Sequence, residues 1–474
     1  TCPGDFADLN VAFGALRAEI GPNTLSIDAE SCIPREVDEV VLVDVDVACN
    51  VGGGCELPPI RVSGGGHFGL SGVSFSTTAE FAMDIYDDNR ELFPGYDSVY
   101  ASLYVDSTEL VVHDSGFEST DASFGGIVAV DCDTTLDHTR FGAPSGHAMK
   151  LYSDELNVLL SLTNVEVTGA GDSALRALDS DDGHGAGRIT ALYIVDSTFT
   201  DNSAYYGADL EVFTDGAIVV SNTTFTSTDN YGDGAPVELF GRSVSLTDVT
   251  FDDTYGALVG TFFVGAATVD VAGLRITQPA SSPYLAYTTS LISSTLSSSQ
   301  VGIDGLFYVT GGPVEFTENT FLLAAGAAPA SGIRLDTSSA DFANNFFCGS
   351  GAVATEYGLV SGPTELYFEE NVFNGLDLAG PLVDTRSDDD VTVSATGASF
   401  YDNTIVNVSA SNLVAGDVSA FVFVNNLVVD SASSFDNASW RGGVTADYNS
   451  WTFSDGSDYA SPDGWGTHDL HGEA

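Results

Sequence analysis

The chain has 474 residues, with 68 Asp and Glu against 13 Lys and Arg, so its formal net charge is −55; Lys150 is the only lysine. That balance excludes a nucleic-acid partner, whose phosphates require a basic face, and anionic membrane surfaces repel such a chain. No stretch of about 18 apolar residues occurs, so no transmembrane helix is expected.

At the N-terminus, Phe6, Leu9, Phe13 and Leu16 recur at helical spacing, with Asp5 placed to cap the start. This predicts a short helix which, with strands such as 40–47, forms an N-terminal cap over residues 1–59. The first residue is Thr1 and no leader pattern follows, as expected for a secreted protein after removal of its signal. Six cysteines fit an oxidising compartment. Cys49 and Cys55 flank a glycine-rich loop and are expected to pair; Cys2 with Cys32 is the second expected disulfide. Cys132 and Cys348 are left over, either as buried free thiols or as links to another chain.

From residue 60 to 450 a short pattern repeats. Phe316-Thr317-Glu318-Asn319-Thr320-Phe321, Phe342-Ala343-Asn344-Asn345-Phe346-Phe347 and Phe368-Glu369-Glu370-Asn371-Val372-Phe373 share one template, as do Phe400–Ile405 and Phe423–Val428. Looser copies end at Phe75, Phe117, Phe141, Val167, Phe199, Phe225, Phe251 and Ile276. The commonest step is 26 residues; the steps of 42 (75 to 117) and 45 (276 to 321) are each expected to hide a weak copy. A fixed period in the twenties means a solenoid, whose repeats bury their apolar faces against one another. Short alternating runs of Val, Phe, Thr and Ile punctuated by Gly, Asn, Asp and Ser make each coil three strands and three turns. The Asn of Phe-x-x-Asn suits a corner: its amide can bond the same Asn one coil away, and Asn tolerates a left-handed backbone.

These copies, with Thr445-Ala446-Asp447-Tyr448-Asn449-Ser450-Trp451, resemble right-handed parallel β-helix repeat proteins of the pectate-lyase-like superfamily. They are most similar to secreted or surface bacterial repeat proteins of the polymorphic outer-membrane-protein type. The resemblance implies an all-β, right-handed parallel β-helix solenoid with a short α-helical cap. It implies little about activity, because this scaffold carries lyases, hydrolases, adhesins and inert surface proteins alike.

Two coils are longer than the rest. One carries Asp179, Asp181 and Asp182, the other Asp388, Asp389 and Asp390, at matching phase and hence at the same corner of their coils. Clustered carboxylates with backbone carbonyls are candidate Ca²⁺ ligands; ordinary solvated turn aspartates are the plainer alternative. Asp181-Asp182-Gly183-His184-Gly185 with Arg188 resembles pieces of the polygalacturonase motif, crowded here into one loop. Residues 451–474, rich in aromatics and acids, are expected to cap the last coil or to meet another subunit.

The expected function is that of a non-catalytic extracellular or cell-surface structural protein, self-assembling in a cation-dependent way. The alternative is a polysaccharide-active enzyme or a glycan-binding adhesin. A cluster of acids with Arg or His on adjacent coils of one face favours the alternative; a bare solvated face favours the structural role.

Overall fold

The structure, a computed structural model, describes residues 8–16, 22–34, 40–41, 44–52, 54–77, 83–85, 99–119, 124–142, 146–153, 156–179, 188–204, 207–230, 235–252, 254–256, 262–277, 284–303, 306–323, 332–353, 358–362, 365–385, 397–415, 420–434, 443–453, 468 and 470–473. The chain divides into two compact units, Thr1–Val244 and Ser245–Ala474. Each unit is a parallel β-solenoid.

In the first unit three ladders of parallel strands form three faces. The first face runs through Ile60–Ser63, Val99–Asp106, Phe124–Val130, Met149–Ser153, Leu175–Asp179, Leu210–Phe213 and residues 237–240. The second runs from Asn23–Ile27 through Asp44–Cys49, His67–Ser71, Glu109–His113, Thr134–Asp137, Asn157–Thr163 and Arg188–Val195 to Ala217–Ser221. The third runs from Cys55–Leu57 to Thr224–Thr226. Met83–Ile85 is an antiparallel addition. The second unit repeats the plan. Its third face includes Gln300–Ile303, Thr320–Leu323, Phe346–Val353, Val372–Leu378, Thr404–Val406, Leu427–Val429 and Ser450–Phe453.

Alternation along each strand turns every second side chain inward, and parallel register stacks like on like. Phe316, Phe342, Phe368 and Phe400 form one column with ring centroids 4.5, 4.8 and 4.6 Å apart. Phe321, Phe347 and Phe373 form another at 4.9 and 4.7 Å, and Phe75, Phe117 and Phe141 a third, in the first unit, at 4.9 and 5.0 Å. These spacings match the ~4.8 Å between neighbouring strands, so the rings stack without distorting the ladder. Burial of each ring stabilises by about 2–3 kcal/mol.

The corner between second and third faces carries the repeated asparagine. Asn319, Asn345, Asn371, Asn403, Asn426 and Asn449 are all buried, and each of the first five donates Nδ2–H to the Oδ1 of the next at 2.9–3.2 Å. The expected role of the amide holds; the backbone assignment needs correction. The left-handed residue is the one before the ladder asparagine: Glu318, Asn344, Glu370, Asp402, Asn425 and Tyr448 have φ between 55° and 60°. At the corresponding first-unit corners Ser115, Thr139, Ser197 and Thr223 instead turn their hydroxyls onto the carbonyl two residues back.

Of the two long steps, the one from 276 to 321 does contain a copy: Val301 pairs with Ile276 on one side and Phe321 on the other. The step from 75 to 117 contains none, because Phe75 and Phe117 are direct partners. The helix spans Leu9–Leu16, with Leu9, Ala12 and Phe13 buried. Its cap is Asp8, whose Oδ1 accepts the Val11 N–H at 3.0 Å, as an N-cap carboxylate does three residues before its donor; Asp5 lies outside the described residues. Cys49 and Cys55 form the expected disulfide, with Cα atoms 5.8 Å apart. Cys32 is also disulfide-bonded, while Cys2 lies outside the described residues. At the other end, Leu470–Glu473 adds a parallel strand to Ser450–Phe453, and Trp451 stacks on Phe423.

Candidate functional site on the first face of the first unit

The outward side of the first face carries two rows in register. Lys150, Arg176, Glu211 and Glu238 pair successively along four coils; two residues on, Tyr152, Leu178, Phe213 and Phe240 do the same. A charged column therefore runs beside an apolar, largely aromatic one. Phe213 and Phe240 stack at 4.6 Å, and Phe213 is 38 % exposed. The charged side chains are mostly buried, although outward-facing strand positions are normally solvated: Lys150 and Glu211 are 8 % and Glu238 7 % exposed. Arg176 keeps about a third of its side-chain surface and reaches Glu211 Oε2 through Nε at 3.4 Å.

His147, Asp172 and Ser173 extend the cluster. Ser173 Oγ donates to Glu211 Oε2 at 3.1 Å. His147 Nδ1 lies 3.1 Å from the Ser173 carbonyl, so that nitrogen carries a hydrogen. Its Nε2 is 3.1 Å from Asp172 Oδ2. Burial, with the Lys150 and Arg176 charges adding to it, outweighs Asp172 and pushes His147 down to about 4, toward a neutral ring. Burial raises Asp172, and the His147 hydrogen bond and neighbouring positive charges more than reverse that rise. Burial, with Arg176 adding to it, pushes Lys150 down to about 8. Burial raises Glu211 against the Arg176 charge, and raises Glu238 with Glu211 adding to it. His147 Nε2 and Arg176 Nε are buried atoms without an aligned hydrogen bond. Buried polar atoms are nearly always satisfied, so two such atoms in one cluster of shifted groups mark a candidate site.

Asp179 ends the strand Leu175–Asp179 beside this cluster. Its Oδ1 accepts Ile189 N–H at 2.6 Å, and its Oδ2 accepts the Thr214 hydroxyl at 3.0 Å and Asp215 N–H at 2.7 Å. It thereby ties the strands Leu175–Asp179 and Arg188–Val195 to Thr214 and Asp215 in the next coil. Asp181, Asp182, Asp388, Asp389 and Asp390 lie outside the described residues, among which no group of three His, Cys, Asp or Glu has metal-site geometry. Arg188 pairs with Asp215 at 3.1 Å.

The sequence did carry a signal for the charged row. Met149-Lys150-Leu151, Leu175-Arg176-Ala177, Leu210-Glu211-Val212 and Val237-Glu238-Leu239 each set a charge between apolar neighbours in a strand. Their spacings of 26, 35 and 27 residues hide the register from a period search.

A second cluster on the second face is built around a glycine. His67 Nε2 lies 3.0 Å from Asp46 Oδ1 and Nδ1 3.1 Å from Glu109 Oε2, across three successive coils. Burial lowers His67, but the two carboxylates outweigh it and the ring is held above its usual pKa. A Cβ on Gly69 would sit 1.9 Å from Asp46 Oδ1. Gly69→Ala is therefore expected to break the His67–Asp46 contact and to cost about 1–3 kcal/mol. His67 is raised in the folded state, so its contribution is full below its unfolded pKa and fades as pH rises through the folded one. Histidine NMR titration checks this: the substitution should return His67 toward 6.5, and an unchanged titration would show that Gly69 does not make room for the pair.

No family model matches the chain, and no curated protein or solved structure matches it either.

Proposed function

We propose that the protein works outside the cell, secreted or held at the surface, as a β-solenoid that binds a glycan on the first face of its first unit. The observation that carries this is the pairing of the charged row with the aromatic row on adjacent coils of one face. Sugars present apolar C–H faces and dense hydroxyls. Stacked Phe213 and Phe240 suit the first, and Arg176, Asp172 and the carboxylates beside them suit the second. The Cys49–Cys55 disulfide supports an oxidising compartment. Membership of the pectate-lyase-like superfamily, in its surface-repeat branch, belongs to the same proposal.

Affinity electrophoresis in gels containing neutral or uronic polysaccharides tests the reading. We expect retardation by at least one neutral polysaccharide, and a loss of about tenfold or more in affinity for Phe213→Ala and Arg176→Ala, about 1.4 kcal/mol each. Equal retardation of both variants and the parent would contradict it. Release of new reducing ends would make the site catalytic.

The structural, self-assembling role is the second reading. It is supported by the unbroken asparagine ladder and phenylalanine columns of the second unit, which suit a rigid building block. Ca²⁺ at Asp179, Asp181 and Asp182 and at Asp388, Asp389 and Asp390 is part of this reading. A melting temperature unchanged between calcium and chelator at equal ionic strength would remove the ion from it.

A further inference from the structure

The third face of the second unit is unlike the rest of this acidic chain. Over five successive coils, from Thr320–Leu323 to Leu427–Val429, its outward positions form two rows in register. One is Thr320, Phe346, Val372, Thr404 and Leu427. The other is Leu322, Cys348, Asn374, Val406 and Val429. Not one of these ten is charged, in a chain with 68 acids. Phe346 is 36 % and Leu427 38 % exposed. The outward positions of the first unit's third face include Glu118, Arg140 and Glu166 among Ser, Thr and Gly. Earlier on the same face of the second unit Asp252 and Arg275 stand in register with these rows, so the uncharged run is local to these five coils and is no general property of a third face.

We propose that this strip is a self-association surface whose occupant is the same strip of a second copy. Charge selects the occupant. A cationic partner is drawn to the carboxylates at the strip's borders, where Glu318, Glu370, Asp402 and Asp377 stand, and gains nothing from the strip itself. A second acidic chain can approach closely only where neither surface carries charge. One sheet face can meet its own copy across a two-fold axis, as isologous interfaces require. The free cysteines separate accordingly. Cys132 is buried, its thiol donates to the Val130 carbonyl at 2.9 Å, and burial pushes it up to about 12, so it is inert. Cys348 is half-exposed in the second of the strip's five coils. A two-fold axis near it brings the two Cys348 thiols together. Any mild two-electron oxidant, such as diamide, then converts two thiols to one disulfide and carries off both hydrogens.

The acidic borders give the interface a signature. Their repulsion is screened as the Debye length falls from about 10 Å at 0.1 M salt to about 3 Å at 1 M, while burial of the strip is not weakened. Association therefore strengthens with salt, the reverse of an ion-paired interface. The inference deepens the structural reading and does not depend on glycan binding. Light scattering after size exclusion, on the full chain at low and molar salt, tests it. We expect a shift from one chain to two in high salt, and a single chain at every salt for Val372→Glu and Leu427→Glu. Both positions face outward, and circular dichroism confirms that the variants fold. Diamide should link the parent through Cys348, and Cys348→Ala should associate in salt without the covalent link. A dimer indifferent to both substitutions overturns this surface and leaves self-assembly standing; a single chain at every salt overturns both.

Discussion

Asn371→Ala should be among the most damaging single substitutions in the second unit. Asn371 Oδ1 accepts both the backbone N–H and the Nδ2–H of Asn345 at 2.9 Å. Its own Nδ2 donates to the Phe342 carbonyl at 2.8 Å and to Asn403 Oδ1 at 3.0 Å. Alanine removes all four bonds and leaves the Asn345 N–H and the Phe342 carbonyl buried without these partners. Each orphaned group costs about 1–3 kcal/mol, so a loss of roughly 3–5 kcal/mol is expected. Asn371→Asp separates hydrogen bonding from size: it keeps the acceptor, loses both donors, and should recover little. Asn344 supplies the control one coil back. It is exposed, with φ 58°, and Asn344→Ala should cost only the ~1–2 kcal/mol of a left-handed alanine. Urea unfolding of the three variants checks the order. Equal losses at 344 and 371 would mean that the buried amide column contributes nothing beyond backbone conformation.

Asp209→Asn is expected to stabilise the first unit, and only at the higher pH values. The Asp209 carboxyl is fully buried; its Oδ1 accepts from Asn202 Nδ2 and its Oδ2 from the Thr228 hydroxyl, both at 2.7 Å. Burial raises it from 3.8 to about 7, the two hydrogen bonds offsetting only part of the desolvation. The folded state therefore holds a proton that the unfolded chain has lost. Stability falls as pH rises from about 4 to about 7 and levels off above that. A shift of this size corresponds to roughly 4 kcal/mol. Asparagine keeps the shape, and its amide can donate to the Thr228 hydroxyl oxygen. The variant should match the parent near pH 4 and exceed it by about that amount at pH 8. Parallel stability curves for parent and variant would show that Asp209 is already ionised in the folded protein.

What could be read from the residues follows from how each feature is encoded. Phe-x-x-Asn is a local pattern, and parallel stacking repeats it once per coil, so the fold class was legible from the 26-residue step. The left-handed corner residue was not, because Glu318, Asn344, Glu370, Asp402, Asn425 and Tyr448 share no side-chain chemistry. The helix cap was misplaced by three residues, since Asp5 and Asp8 both precede apolar residues at helical spacing. The charged row is encoded across insertions of unequal length, so only strand register brings Lys150, Arg176, Glu211 and Glu238 together. The uncharged strip is defined by the kinds of residue it lacks, and that becomes visible only when the outward positions of five coils are seen side by side.

Hydrogen exchange of the intact protein, with and without a polysaccharide that retards it in gels, tests the glycan-binding face most directly. The account predicts slowed exchange confined to the first-face strands Met149–Ser153, Leu175–Asp179 and Leu210–Phe213 and the segments joining them. Protection confined to the second unit, or bound polysaccharide with no protection on these three strands, would contradict it.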